Sequence, residues 1–158
     1  MIFVTLGTGV YPFTRLLAEV ERMVDLGLLR EEIVVQAGTT TFQSEKMQVF
    51  DLLPMSEMER LTEQCSLLIT HGGVGSIISG LKHGKRVIAV PRLEKYKEVA
   101  NDHQLQIIHN FDEAGYLIGT EGVEDLEEAL KKADSFEPKP YQSNTQNMID
   151  LIRYHINA

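Results

Sequence analysis

Short apolar runs alternate with stretches whose apolar residues recur at helical spacing, and no other property of this chain constrains its fold as tightly. Residues 2–6 form the first run, closed by Gly7-Thr8-Gly9. Pro12 then stands where a first helical turn begins. Leu16, Leu17, Val20, Met23 and Val24 carry the helical stripe, and Gly27 ends it. Residues 33–37 predict a second strand and 47–50 a third, weaker one. Met55, Met58, Leu61 and Cys65 make the next helical stripe, after Pro54. Residues 67–70 predict a fourth strand, 74–83 a helix, 86–90 a fifth strand stopped by Pro91, 99–110 a helix, and 116–118 a short strand. Residues 123–133 predict a helix with acidic side chains early and Lys131 and Lys132 late, as the helix dipole favours. Such alternation implies an α/β fold, a parallel sheet with helices on both faces. The 158 residues read as one domain over 1–133, a linker over 134–141 that holds Pro138 and Pro140, and a closing helix in 142–158. Met148, Leu151, Ile152 and Ile156 share one face of that last helix, which either packs on its own sheet or docks on a partner.

In parallel sheets of this kind, ligands bind beyond the carboxyl ends of the strands. Three segments fall there: Gly7-Thr8-Gly9, the stretch from His71 to Ser76, and the stretch after Pro91. The second is the richest. Thr70-His71-Gly72-Gly73-Val74-Gly75-Ser76 ends a strand and opens a helix. The first N–H groups of a helix lack backbone acceptors, and the helix dipole adds positive potential, so such a turn is a ready anion site. Glycines let a phosphate approach the backbone, and His71 at the mouth adds a side-chain donor. Glycine packing between strand and helix is the plainer reading, but it does not need three glycines and a histidine. Gly7-Thr8-Gly9 reads equally as a phosphate- or sugar-facing loop and as a tight turn that needs positive φ. Asn101, Asp102, His103 and Gln104 place four hydrogen-bonding side chains at one predicted helix start. A cap uses one of them; four suit the hydroxyls of a sugar. Arg92, just past the fifth strand, is positioned to join them.

Charge and composition remove several classes. The formal net charge is −8, which disfavours an electrostatic grip on nucleic acid or anionic lipid, although residues 82–86 form a local basic spot. The lone Cys65 cannot form an internal disulfide and fits a reducing compartment. The five histidines and the carboxylates show no metal-ligand spacing, so no metal cofactor is expected. The N-terminal run lacks a basic flank and reads as a first strand, not a signal peptide. No apolar run approaches the roughly 20 residues of a spanning helix. A cytoplasmic location is expected.

Taken in order, Phe3-Val4-Thr5-Leu6-Gly7-Thr8, Phe13, Arg15-Leu16, Ile69-Thr70-His71-Gly72-Gly73, Val90-Pro91-Arg92 and Asn101-Asp102-His103-Gln104 resemble the glycosyltransferase family 28 C-terminal domain. Within that family the chain is most similar to short stand-alone catalytic subunits of two-component transferases of bacterial capsule and exopolysaccharide synthesis. The resemblance implies the donor-binding, Rossmann-like half of a GT-B fold. It implies that His71, Gly72, Gly73, Gly75 and Ser76 face the diphosphate of a UDP-sugar, with Gly7 and Thr8 nearby. Arg92, Asn101, Asp102, His103 and Gln104 would then serve the donor sugar or nucleotide, and Asp102 and His103 are the in-chain candidates for catalysis. The implied reaction is inverting transfer of a hexose (galactose, glucuronic acid or N-acetylglucosamine) to a lipid-linked saccharide, without a metal. The implied partner is a membrane-anchored, acceptor-side subunit that holds the chain at the inner face of the membrane. Two positions depart from the family pattern. Gly9 stands where many bacterial relatives have a histidine, and Ser79 where related transferases carry a ribose-binding Glu. Those two keep open a rival reading, a regulatory subunit that binds UDP-sugars without transferring them. A nicotinamide-dependent enzyme is disfavoured, because the G-x-G-x-x-G spacing is absent.

Overall fold

The strand runs are short and apolar at successive positions, so both faces of the sheet they form must be covered. The computed structural model describes residues 1–142. Its strands are β1 (Ile2–Thr5), β2 (Ile33–Gln36), β3 (Gln48–Phe50), β4 (Leu67–His71), β5 (Val87–Val90) and β6 (Ile118–Gly119), all parallel, in the order β3-β2-β1-β4-β5-β6. Val4, Ile69 and Ile88 project to one face. There they meet Leu16, Leu17, Val20 and Met23 of α1 (Thr14–Asp25) and Leu126, Ala129 and Ala133 of α5 (Leu126–Ala133). Phe3, Leu68, Val87 and Ala89 project to the other. They pack on α2 (Met55–Gln64), α3 (Val74–Lys82) and α4 (His103–Glu113). Gly80 lets α3 lie close on the sheet: a Cβ there would stand 2.6 Å from Leu68 Cδ2 and 2.8 Å from Val87 Cγ2. This is the doubly wound α/β fold that the alternation implies. The strand order reverses between β1 and β4, and ligands of such sheets bind at that switch point.

Several element boundaries differ from the sequence expectation. Helix α1 starts at Thr14, with Phe13 as the preceding residue, so Pro12 lies before it and not in its first turn. Helix α4 starts at His103, not at residue 99. The chain before it makes a 3-10 turn at Glu94–Tyr96 and a left-handed residue at Lys97, and the Asn101 Oδ1 accepts the His103 N–H at 3.1 Å. A polar run that can bond its own backbone favours a turn over a longer helix. Strand β6 lies two residues later than expected, because Tyr116 and Leu117 serve as buried turn residues after Gly115, whose φ is +83°. A 3-10 turn at Val123–Asp125 leads into α5. The stretch 134–141 runs along the domain. Phe136 packs on the first core, the Lys139 N–H donates to the Gly115 carbonyl at 2.9 Å, and the Tyr141 ring meets Tyr116 at 5.6 Å. The expected closing helix, with Met148, Leu151, Ile152 and Ile156, lies outside the described residues. Among the described residues, no helix is long and apolar enough to cross a membrane.

Candidate functional site

A cleft of about 650 Å³ opens at the switch point and runs between α2 and α3. Thr5, Gly7, Thr8 and Gly9 from the end of β1 line it, with His71, Gly73, Gly75 and Ser76 from β4 and α3. Leu52, Leu53, Met55 and Met58 form an apolar wall, and Ser79, Lys82 and His83 extend the α3 side. The start of α3 is open. It has no side-chain cap and no acidic residue in its first turn, and its first backbone bond runs from the Ile77 N–H to the Gly73 carbonyl. Among the described residues, the N–H groups of Val74, Gly75 and Ser76 therefore lack protein acceptors. A Cβ on Gly75 would meet nothing within 4 Å, so this glycine leaves space on the cleft side.

His71 sits at the centre. Its ring is wedged between two loops: a Cβ on Gly7 would stand 2.4 Å from Nε2, and one on Gly73 would stand 2.4 Å from Cε1 and 2.6 Å from Nε2. Gly7 also has φ +74°, a conformation that side chains disfavour. Both glycines are thus fixed by the imidazole that passes between them. The ring is buried, and burial, with the Arg92 charge beside it, pushes its pKa from 6.5 down to about 4. Its Nδ1 accepts the Arg92 Nε–H at 3.4 Å.

Arg92 stands behind His71 and is not part of the cleft wall. Its guanidinium is buried and donates to the carbonyls of Leu6 at 2.6 Å, Tyr11 at 2.7 Å and Glu98 at 3.2 Å. It therefore acts as a strut that joins the loop after β1 to the loop after β5. Glu98 anchors the same loop. Its carboxylate takes a bidentate pair from Arg15 at 2.8 and 2.9 Å and accepts the Leu93 N–H at 3.2 Å. Gln104 reaches in from α4, and its Oε1 accepts the Gly72 N–H at 3.2 Å and the Arg92 N–H at 3.1 Å. Gly72 must be small for that approach, since its Cβ would stand 2.7 Å from the Gln104 Cβ.

The remaining polar cluster stays on the rim. Asn101, Asp102 and His103 are exposed and do not line the cleft. Asn101 bonds the start of α4, and the Asp102 Oδ1 accepts the Glu94 N–H at 2.9 Å. Thr8 is exposed at the cleft mouth. Gln36, which the sequence reading passed over, clamps the Gly7 loop. Its Oε1 accepts from the Thr5 hydroxyl at 2.6 Å and the Gly7 N–H at 3.2 Å, and its Nε2 donates to the Gly7 carbonyl at 2.9 Å. The signal for it was present: an amide inside the apolar run 33–37. Glu98 was missed because it lies in the charged stretch 94–98, which reads as solvated surface. No cluster of three or more His, Cys, Asp or Glu side chains among the described residues is arranged to hold a metal ion.

Solved structures of similar shape share this fold. The NMR solution structure of ALG13 matches with TM-score 0.65 at 19% identity, over 98% of this chain and 96% of ALG13. The spinosyn forosaminyltransferase SpnP matches with TM-score 0.58 at 15% identity, over 98% of this chain and 39% of SpnP. The glycosyltransferase VinC, determined in complex with dTDP, matches with TM-score 0.51 at 17% identity, over 99% of this chain and 42% of VinC. The chain thus spans nearly all of ALG13 but well under half of the two larger proteins. A search of curated proteins finds no match. The sequence pattern that defines the glycosyltransferase family 28 C-terminal domain matches residues 1–155, and the chain belongs to that family.

Proposed function

We propose that the chain is the donor-binding, catalytic subunit of an inverting glycosyltransferase that uses a UDP-sugar. One observation carries the reading: the uncapped start of α3 and the His71 ring open together onto a cleft with an apolar wall. The diphosphate fits the Val74, Gly75 and Ser76 N–H groups. The nucleoside fits between α2 and α3, with the base against Leu52, Leu53 and Met58 and the ribose toward Ser79 and Lys82. The dTDP in VinC, a protein of the same fold, supports a nucleoside diphosphate as the ligand class. The hexose is galactose, glucuronic acid or N-acetylglucosamine, and it extends past Gln104 toward Asp102 and His103 on the rim.

The chemistry follows from that placement. An acceptor hydroxyl oxygen bonds to the anomeric carbon as the carbon–oxygen bond to the β-phosphate breaks. UDP departs with the electron pair, and the hydroxyl proton passes to a base. Helix N–H groups and the His71 side chain stabilise the charge that develops on the diphosphate, so no divalent ion is required. In-chain, Asp102 and His103 are the exposed rim groups able to take the proton; the Asp102 Oδ1 already accepts the Glu94 N–H. The acceptor is a lipid-linked saccharide of capsule or exopolysaccharide synthesis, presented by a membrane-anchored subunit. Among the described residues, six of the eight exposed large apolar side chains support a partner at this end: Val10, Tyr11, Phe50, Leu52, Met55 and Tyr96 all follow the carboxyl ends of strands or close them.

Gly75→Ala tests the diphosphate placement. The added methyl meets nothing inside the protein, and alanine in a helix is worth about 0.5–1 kcal/mol over glycine. The variant should therefore be at least as stable as the parent, yet bind UDP about tenfold or more weakly, because the methyl blocks the approach of the phosphate. Calorimetric titration that finds unchanged UDP affinity overturns the placement. Radiolabelled sugar transfer, with and without membranes that carry the acceptor subunit, tests catalysis itself. Transfer should require those membranes and persist in EDTA. UDP-sugar binding without transfer under every pairing would favour the regulatory reading.

A further inference from the structure

We infer that Arg92 is a positioning residue that locks His71 as a neutral imidazole with its single proton on Nε2, aimed between the two glycine loops. The argument starts from the donor inventory. A guanidinium carries only N–H donors and stays charged in proteins. The Arg92 Nε–H points at the His71 Nδ1 at 3.4 Å. That nitrogen must then offer a lone pair, so the proton of the neutral ring lies on Nε2. A tautomer is assigned from its hydrogen-bond network, and here the network leaves one solution. Doubly protonated imidazolium would set an N–H against an N–H and one cation against another. Arg92 itself cannot turn away, because its other N–H groups hold the carbonyls of Leu6, Tyr11 and Glu98.

The surroundings complete the lock. Gly7 and Gly73 flank the Nε2 edge of the ring, and Arg92 is the charged group in contact with it among the described residues. Glu98 faces Arg92 through its backbone carbonyl, while its carboxylate is committed to Arg15. His71 is therefore a fixed neutral donor. It is neither a general base, since Nε2 lacks a free lone pair, nor a cation that pairs with phosphate. The glycine loops flank Nε2 while the arginine holds Nδ1. The link to a diphosphate rests on the function proposed above; the tautomer does not.

Long-range proton–nitrogen correlation spectra of the uniformly ¹⁵N-labelled full chain, without ligand, test this directly. The expected result is one His71 signal set with an unprotonated Nδ1 and a protonated Nε2, unchanged from pH 8 to pH 5.5. A protonated Nδ1, averaged nitrogens, or titration within that range overturns the inference. Arg92→Lys keeps the charge but cannot hold all four acceptors, so its His71 nitrogens should move to averaged positions. Unchanged nitrogens in that variant would show that Arg92 does not set the tautomer. If the variant does not fold, the parent spectrum still decides. UDP titration separates the two claims. A locked tautomer in a protein that does not bind UDP would leave this inference standing and remove the proposed donor site.

Discussion

Replacing Gly7 by alanine is expected to destabilise the protein by about 2–4 kcal/mol and to remove most UDP binding. Two costs add. The residue holds φ at +74°, which is strained for any residue with a Cβ, and the new methyl would lie 2.4 Å from the His71 Nε2. The ring cannot retreat, because Gly73 closes the other side and Arg92 holds Nδ1. Gly73→Ala should show the clash without the backbone term, since its φ of −74° is ordinary, and should cost less. Gly9→Ala is the control. A Cβ there meets nothing within 4 Å, so its effect should stay within about 0.5 kcal/mol. Urea denaturation of the three variants, with UDP titration of those that fold, gives the series. Equal effects at Gly7 and Gly9 would mean that the ring does not dictate the glycine.

Acid should weaken the fold through His71 in a window that can be named in advance. The unfolded chain takes up a proton near pH 6.5, whereas the folded ring resists until about pH 4. Between those values the unfolded state binds more protons, so stability falls as pH falls. The stabilisation is fully present above pH 6.5, declines below it, and has been lost by about pH 4. A difference of that size corresponds to about 3 kcal/mol, at 1.36 kcal/mol per pKa unit. Other carboxylates and histidines titrate in the same range, so the comparison must be a difference. His71→Gln removes this one group, and its stability should depend less steeply on pH, by about 2 kcal/mol between pH 7 and pH 4.5. Parallel pH profiles for the parent and the variant would exclude a buried neutral imidazole.

The order of the elements and the place of the cleft were legible because both follow from local patterns. Apolar runs of strand length set β1, β2, β4 and β5, and glycines at the strand ends marked the switch point. The strut was not legible, because its parts are distant in sequence. Arg92 reads as a loop charge until the fold brings the carbonyls of Leu6 and Tyr11 to it. The four polar residues 101–104 read as one sugar-binding group. The structure divides their tasks: Asn101 bonds the helix start, Asp102 holds the Glu94 turn, and Gln104 ties Gly72 to Arg92. His103 is left with an exposed side chain on the rim. The start of α4 was placed too early, because the polar side chains of Asn101 and Asp102 bond backbone N–H groups in a turn ahead of the helix.

On the function proposed above, the uncapped start of α3 ties the lifetime of the protein to its supply of donor. Helices usually close their first turn with a serine, threonine or aspartate from the same chain. Here Gly73 holds that position, and the N–H groups of Val74, Gly75 and Ser76 have no acceptor among the described residues. A ligand that binds only the folded state at a hundred times its dissociation constant adds about 2.7 kcal/mol of stability. A cell rich in the nucleotide sugar would therefore keep more of this chain folded and out of reach of proteases. When the sugar runs short, the unliganded chain would be degraded faster.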